Sequence, residues 1–312
     1  MLNFIFKRIL SSIPTLFGVL TLVFLLVRVV PGDPALAILG DAASEEALQA
    51  FRERMGLNAP LWDQYLSFLG QIISGSLGYS MTTGEPVLTT VLRVLPHTIE
   101  LTLFAIFIGV IFGVPLGIWA ALKRDTWVDY VCRIVSLIGL SFPSFLTAIL
   151  LILVLAIYFP IFPVISNPGN SASSHLYNLI LPGLSLGLIM TAYVMRTARS
   201  SILNVLSEDY VRTAKSKGIP RSVILIRHVL KNAMIPIVTV VGLYMGLLIG
   251  NSVLTEIVFN RPGLGKLIVL SLSQRDYATL QGLMIIYAFL VVLINLITDL
   301  AYGLFDPRVT YS

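Results

Sequence analysis

The sequence has a single cysteine, Cys132, among its 312 residues. One thiol excludes an intramolecular disulfide framework and a cysteine-rich metal site, so we interpret Cys132 as a small apolar filler. Histidine is nearly as scarce, since only His97, His175 and His228 occur. These three lie far apart in the sequence, each near the end of an apolar run or in a loop. A shared metal site is therefore not expected.

Charged residues are also few. Only 12% of the residues are Asp, Glu, Lys or Arg, 56% are hydrophobic, and the mean hydropathy is +0.90. Soluble domains carry about 25% charged residues. A soluble core could not bury this much apolar surface, so we predict an all-α integral membrane protein whose solvent is lipid.

Six apolar runs lack internal charge or carry it only near an end. Crossing a hydrocarbon layer of roughly 30 Å takes about 20 helical residues, and each run comes close to that length or exceeds it. The first run is about 22 residues, longer than the 7–15 residues of the hydrophobic region of a signal peptide, so we expect a retained anchor. The predicted spans are Ile9–Val30, Thr98–Leu122, Cys132–Tyr158, Tyr177–Met195, Ala233–Val258 and Thr279–Tyr302.

The distribution of Lys and Arg sets the orientation. Most of these 21 residues lie in the N-terminal segment, the loops after the second and fourth spans, and the C-terminal tail. Positive residues are retained in the cytoplasm, so both termini are expected there. The net charge of +5 reflects this topology and does not imply nucleic-acid binding. The predicted parts are an N-terminal transmembrane helix (1–30), an extracytoplasmic cap segment (31–97), a five-helix core (98–304) with a cytoplasmic loop at 196–232, and a tail (305–312).

The cap segment begins with Pro31-Gly32-Asp33-Pro34 and ends with Leu95-Pro96-His97. Proline and glycine at both ends are expected to stop helices. Between them, Ser44 can cap a helix, acids follow it, arginines come late, and Gly56 can end the helix. We therefore expect a small folded element outside the membrane rather than a mere connector.

Glycines recur at four-residue spacing in three of the spans. Small residues one turn apart let helix backbones approach closely in lipid, so these faces are predicted packing seams of a tight bundle or dimer. The pattern is common in membrane helices and says little about substrate. The residues are Gly109, Gly113 and Gly117, then Gly183 and Gly187, and finally Gly242, Gly246 and Gly250.

The longest cytoplasmic loop contains a short segment with helix signals at both ends. Ser207 is the predicted N-cap, Glu208 and Asp209 face the positive end of the helix dipole, and Lys215 and Lys217 face the negative end. Gly218 can adopt the left-handed conformation that ends a helix. A solvated basic loop would satisfy the positive-inside rule equally well, but caps at both ends favour a rigid helix of about ten residues. Ile219-Pro220 then precedes a second basic helix, Arg221 to Lys231.

This loop resembles the signature loop of binding-protein-dependent ABC importer permeases. The matching residues are Arg212-Thr213-Ala214-x-x-Lys217-Gly218, followed by His228-x-Leu230-x-Asn232-Ala233-x-Ile235-Pro236. The broader family often has Glu-Ala-Ala where this chain has Arg212-Thr213-Ala214, and Pro236 lies later than in the general pattern. Both departures are similar to the peptide and nickel branch.

The resemblance extends over nearly the whole chain and points to the first permease of peptide importers. Its further elements are Val30 to Pro34, Leu57-Asn58-Ala59-Pro60-Leu61 with Gln64-Tyr65, Gly75-Ser76-Leu77-Gly78-Tyr79-Ser80, Phe259-x-x-Pro262-Gly263-Leu264-Gly265 with Arg275-Asp276-Tyr277, and Asp306-Pro307-Arg308.

The resemblance implies a type I ABC importer fold in the bacterial inner membrane and a division of labour among subunits. The implied partners are a second homologous permease, two cytoplasmic ABC ATPase subunits and an extracytoplasmic binding protein. The cap and the Pro262–Lys266 loop would contact that binding protein or shield the pore. The short cytoplasmic helix is the candidate ATPase-coupling element, with site residues Glu208, Asp209, Tyr210, Arg212, Thr213, Ala214, Lys217 and Gly218.

The chain itself is not expected to be the ATPase, nor an enzyme. A phosphate loop needs Gly, four residues, then Gly-Lys-Ser/Thr after a strand. Around Gly265-Lys266, Asn260 replaces the first glycine and Leu267 replaces the hydroxyl residue. No cofactor is therefore expected in this chain, and ATP and Mg²⁺ would bind to the partner ATPases.

The sequence leaves three alternative functions to be weighed. The same architecture could import nickel, glutathione or oligosaccharide. A secondary transporter or channel would work without ATP, but it would need ionisable groups near the bilayer centre, and Glu100, Glu256 and Asp299 all lie towards span ends. A membrane-embedded enzyme has no paired His, Asp or Glu residues at catalytic spacing in the spans.

Overall fold

The computed structural model describes residues 2–29, 34–40, 43–54, 56–165 and 172–305. In these ranges the chain is helical, and its only β-pairing is a single antiparallel bridge between Tyr79 and Pro86. The π-helical segments Leu153–Tyr158 and Ile224–Leu230 extend α7 and join α10 to α11. The helices are α1 Leu2–Val29, α2 Pro34–Leu39, α3 Glu45–Arg54, α4 Leu61–Ile73, α5 Val87–Leu122, α6 Trp127–Ser141, α7 Ser144–Ile152, α8 Ala172–Leu206, α9 Asp209–Ser216, α10 Arg221–Val223, α11 Lys231–Val258, α12 Leu264–Ser273 and α13 Tyr277–Phe305.

Five helices in the described ranges are long and apolar enough to cross a membrane. The count becomes six, as predicted, if the bent pair α6 and α7 forms one span. The sequence predicted an unbroken third span from Cys132 to Tyr158, and this is wrong. The chain turns by 102° at the break, because Pro143 has no N–H to continue the helix and forces Phe142 into an extended conformation, with φ −92° and ψ 126°.

Pro96 does not act as the sequence suggested. Pro96 lies inside α5, so the prediction that Leu95-Pro96-His97 stops a helix is wrong. The turns on both sides of Pro96 are anchored by fully buried side chains, Val91 and Leu101. Their packing outweighs the one backbone hydrogen bond that a proline removes. Pro182 in α8 is likewise accommodated within a continuous helix.

Two compact units divide the chain. Unit 1 comprises Met1–Phe6, His97–Arg261 and Leu293–Ser312, and unit 2 comprises Lys7–Pro96 and Pro262–Val292. The division into 1–30, 31–97, 98–304 and 305–312 stays a prediction. Most of the predicted tail, including Asp306-Pro307-Arg308, lies outside the described residues, as do Val30 to Asp33.

Unit 1 is built around α8, which packs against α6, α7 and α11. The glycine seam of α5 is confirmed: a Cβ on Gly109 would lie 2.2 Å from Met190 Cγ, and one on Gly117 would lie 2.7 Å from the Met195 carbonyl oxygen. Cys132 is buried beside Met195, in agreement with its predicted role as a filler. These contacts explain why α5 and α8 approach so closely.

The seam predicted on α11 is only partly present. A Cβ on Gly242 would lie 2.1 Å from Thr298 of α13, but none of the described residues comes within 4 Å of a Cβ on Gly246 or Gly250. The glycine spacing on α11 is therefore confirmed at Gly242, while the prediction for Gly246 and Gly250, which allowed for a dimer, stays a prediction.

Unit 2 contains the cap helices. The predicted helix is α3, where the Ala47 N–H donates to Ser44 Oγ at 3.3 Å and Gly56 has φ +65°. The sequence did not predict α4, which packs on α1: the hydroxyl groups of Thr21 and Tyr65 are 2.7 Å apart, and the rings of Phe24 and Tyr65 meet edge to face. The cap is therefore a folded element anchored on the first helix.

Asp276, at the start of α13, is the polar centre of unit 2. Its buried carboxylate accepts hydrogen bonds from the hydroxyl groups of Ser80, Thr82 and Thr279 and from the N–H groups of Met81 and Thr279. It therefore caps α13 and also fixes the loop that precedes α5. Burial, the largest influence, would raise the pKa of Asp276, but these hydrogen bonds hold the pKa below its usual value.

Candidate coupling site

The short cytoplasmic helix of the loop is α9, which contains eight residues. It begins one residue later than the sequence indicated. The extended N-cap position is occupied by Glu208, with φ −68° and ψ 146°, so the assignment of Ser207 as N-cap is wrong. The Ser207 hydroxyl instead donates to the carbonyl of Asn204 at 2.7 Å. Because α8 continues to Leu206, Ser207 belongs to the end of α8 rather than the start of α9.

The C-terminal end of α9 is closed as predicted. Gly218 has φ +76°, in the left-handed region. Its N–H donates to the carbonyl of Lys215 at 3.0 Å, and the N–H of Ile219 donates to the carbonyl of Ala214 at 3.3 Å. These two bonds form a Schellman motif, which satisfies carbonyls that the helix itself leaves without donors. The helix therefore has a defined end before Pro220.

One side of α9 is held in an apolar cluster. Val211 and Ala214 are buried against Ile202 of α8, Ile224 at the start of the π-helical segment, and Val229. The Asn232 side-chain amide also donates to the Tyr210 hydroxyl at 2.7 Å, which ties α9 to the start of α11. This packing fixes α9 to both neighbouring helices.

The other side of α9 is open and charged. Arg212 and Asp209 form an ion pair of 3.3 Å, with 71% and 92% of their side chains exposed. Glu208, Thr213 and Lys217 are exposed as well. One of the eight predicted site residues, Ala214, is buried; it packs α9 against its neighbours and does not belong to the exposed face.

A buried ion pair near the same loop was missed by sequence reasoning. Arg199 of α8 donates from Nε to Asp129 Oδ1 at 2.5 Å and from Nη2 to Oδ2 at 2.7 Å, and the Asp129 side chain is fully buried. Arg133, one turn after Asp129, lies 3.6 Å away. The pair fixes the start of α6 to the helix that leads into α9.

A second buried polar cluster lies at the other end of unit 1. Arg261, whose side chain is fully buried, donates to Glu100 at 2.7 Å, and His175 Nε2 contacts the other oxygen of the same carboxylate. The Thr98 hydroxyl donates to buried Glu256 at 2.6 Å. Burial lowers the pKa of Arg261, while Glu100 and Glu256 oppose that effect. The sequence placed these groups near span ends but gave no signal that they meet.

The structure shows where two of the histidines and the Gly265-Lys266 pair lie. His97 and His175 are brought together, with ring centroids 6.4 Å apart, although the sequence separates them widely. In the described part of the chain, no three His, Cys, Asp or Glu residues form a group that could hold a metal ion. Gly265-Lys266 lies in the first turn of α12 and follows α11, a helix rather than the strand of a phosphate loop.

Comparison with known proteins places the chain in a family. The profile of the binding-protein-dependent transport system inner membrane component matches residues 113–311, and the profile of the N-terminal part of such membrane components matches residues 1–102. The chain is 38% identical to the dipeptide transport system permease protein DppB of Alkalihalophilus pseudofirmus and 40% identical to the glutathione transport system permease protein GsiC of Escherichia coli O6:H1. Each match covers 100% of both chains.

A solved structure shares the fold. The inward-facing MetNI methionine ABC transporter matches with a TM-score of 0.57 and 16% sequence identity, over 70% of this chain and 97% of that one. At this identity the likeness supports the type I importer fold and nothing further. The chain belongs to the binding-protein-dependent transport system inner membrane components, the permeases of peptide-type ABC importers, and is a multi-pass protein of the bacterial inner membrane.

Proposed function

We propose that this chain forms the translocation path for di- or oligopeptides in an ATP-driven importer. The observation that carries this proposal is the full-length similarity to a dipeptide permease and a glutathione permease, each near 40% identity. Glutathione is itself a tripeptide, so it is the second candidate substrate. An extracytoplasmic binding protein delivers the peptide, and a second, homologous permease completes the path.

The energy source in this proposal lies outside the chain. Two cytoplasmic ATPase subunits bind ATP and Mg²⁺ and hydrolyse the nucleotide, while this subunit responds mechanically. The exposed face of α9, with Glu208, Asp209, Arg212, Thr213 and Lys217, docks in a cleft of one ATPase. Its mixed charges suit a polar partner surface.

The packing of α9 supports a role as a rigid lever. Val211 and Ala214 are anchored in the same cluster as residues of α8 and α11, so a force on α9 reaches both helices. Closure of the ATPase dimer then shifts the spans between inward-open and outward-open arrangements, as a two-state equilibrium biased by nucleotide and by loaded binding protein.

The direct test is reconstitution of the complete importer in proteoliposomes. Uptake of a labelled dipeptide, a labelled pentapeptide, reduced glutathione and Ni²⁺ is measured with and without ATP. We expect ATP-dependent uptake of at least one of the peptides or of glutathione. Uptake of Ni²⁺ alone, or peptide uptake that does not need ATP, would refute the proposal.

A further inference from the structure

Unit 2 contains a cavity of about 880 Å³. Its walls come from α3 and α4 of the cap, the loop from Ser76 to Gly84, and the first turns of α13. This volume lies within the range of ordinary small-ligand sites, about 300–1,000 Å³. The cavity belongs entirely to unit 2, so it is separate from the coupling site of unit 1.

One wall is a polar stripe along α4. Asp63, Ser67 and Gln71 all line the cavity, and they follow one another at four-residue spacing on one face of the helix. Eight residues of α-helix rise about 12 Å. An extended chain advances about 3.3–3.6 Å per residue, so this stripe matches the length of three to four peptide units.

Several polar side chains that line the cavity have no hydrogen-bond partner among the described residues, so they can bind a ligand. Among the described residues, none hydrogen-bonds to or forms an ion pair with the side chains of Asp63, Gln71 or Gln281, although all three line the cavity. The amide nitrogen of Gln64 is bound to the carbonyls of Leu57 and Ala59, while its Oε1 has no partner in the described structure. Asp63 and Gln71 are exposed and Gln281 is half-buried, so these side chains can exchange water for a complementary ligand.

The side chains that line the cavity favour a ligand with a cationic group and main-chain amides. Among the described residues that line it, there are one carboxylate, several carboxamides and two tyrosines, and none is Lys or Arg. Carboxamides donate and accept hydrogen bonds, as a peptide backbone does, and a carboxylate pairs with a cation. Phe68, Ile72 and Ile285 add apolar surface for a side chain.

We propose that this cavity binds the amino-terminal end of a short peptide. The Asp63 carboxylate pairs with the peptide's α-ammonium group, and Gln71 and Gln281 hydrogen-bond to its main-chain amides. The site is prepared in advance, because Asp276 fixes the wall at Ser80 and Met81 through hydrogen bonds. The inference rests on the proposed function for its substrate class: the site holds a peptide on the outer side of the permease.

The test measures binding separately from transport. The intact transporter in lipid nanodiscs, without binding protein or ATP, is equilibrated with radiolabelled trialanine, and bound peptide is counted after dialysis. We expect saturable binding that weakens about tenfold or more in Asp63→Asn and severalfold in Gln281→Ala. N-acetyl-trialanine, which lacks the ammonium group, should bind no better to the wild type than trialanine binds to Asp63→Asn.

Glu53→Gln is the matched control. Glu53 is an exposed acid of the same cap that does not line the cavity, so this variant should bind trialanine like the wild type. Equal trialanine affinity of the wild type and Asp63→Asn would overturn the inference. So would a result in which Asp63→Asn weakens only docking of the intact binding protein.

Failure of the cavity inference can be distinguished from failure of the proposed function by comparing binding with transport. If reconstituted uptake of peptides is ATP-dependent but trialanine binding is unaffected at Asp63, the cavity inference fails and the proposed function stands. If no peptide is transported but trialanine binding still depends on Asp63, the site stands and the proposed function fails.

Discussion

Arg199 and Asp129 form a two-bond ion pair between α8 and α6, with donor-to-acceptor distances of 2.5 Å and 2.7 Å. Asp129 also accepts a hydrogen bond from the N–H of Asp125, which has φ +59° in the turn before α6. One buried carboxylate therefore binds helix α8 and also stabilises the turn at Asp125, whose positive φ is rare for L-residues. Arg199 lies on the last turns of α8, so the pair also sets the position from which α9 begins.

We expect Asp129→Ala to destabilise the permease strongly. Removing one partner of a buried pair leaves the other charge uncompensated, at a cost of about 3 kcal/mol. The thermal melting temperature of the purified complex in detergent measures the effect. Arg124→Ala is the control, because the Arg124–Asp125 pair is 65% exposed on both sides and should contribute under about 1 kcal/mol. Similar losses in the two variants would contradict this account.

Gly218→Val should uncouple ATP hydrolysis from transport. No atom of the described residues lies within 4 Å of the added Cβ, so the cost is conformational: a β-branched residue at φ +76° is strained by about 1–3 kcal/mol. The end of α9 then shifts while the complex remains assembled. The ratio of peptide imported to ATP hydrolysed, measured in proteoliposomes, is expected to fall. Gly218→Asn tolerates the left-handed region better and should retain most coupling, whereas normal coupling in Gly218→Val would disprove the lever.

Gly117→Ala should loosen the packing of α5 on α8. The new methyl would lie 2.6 Å from Ala198 Cβ and 2.7 Å from a backbone oxygen, neither of which is a flexible side-chain end. Overpacking of this kind costs about 1–3 kcal/mol. Gly250→Ala, with no neighbour within 4 Å, should leave the melting temperature of the isolated chain unchanged or slightly higher. Melting curves of both variants in the same detergent test the difference.

The pH dependence of stability should report on Asp276. Its folded-state pKa is lowered, so its contribution is present above the unfolded-state pKa of about 3.9 and is lost as pH falls through the folded-state pKa. Asp276→Asn should therefore melt lower than the wild type at pH 7, with the two melting temperatures converging below about pH 4. Ser80→Ala removes one donor and should show a smaller change of the same sign. A constant difference across the pH range would exclude this role for the carboxylate.

Most local signals in the sequence predicted the structure, apart from Ser207 and Pro96, whereas long-range pairings left no signal in it. The apolar runs predicted the spans, and Gly218 predicted the end of α9, because helix propensity and capping depend on neighbouring residues. The pair Asp129–Arg199 joins residues 70 positions apart, and Glu100–Arg261 joins residues 161 apart. No periodic pattern links such residues, so only the fold brings them together.

The positions of glycine and proline also predict the structure only in part, because their effect depends on residues distant in the sequence. The spacing of Gly109, Gly113 and Gly117 matched a true seam, while Gly246 and Gly250 face no neighbour in the described part of the chain. Pro143 breaks a span but Pro96 does not. Each residue type restricts the backbone locally, and the surrounding packing decides whether that restriction ends a helix.

The break between α6 and α7 has a consequence for assembly. The last carbonyls of α6 and the first N–H groups of α7 lack partners within their own helices. Ser141, Phe142 and Pro143 are all exposed at this point of the chain. Hydrocarbon cannot solvate free peptide groups, so irregular backbone at membrane depth persists only beside protein or water. Where α6 and α7 together form one span, this elbow therefore needs shelter from protein or contact with water, because lipid tails cannot solvate it.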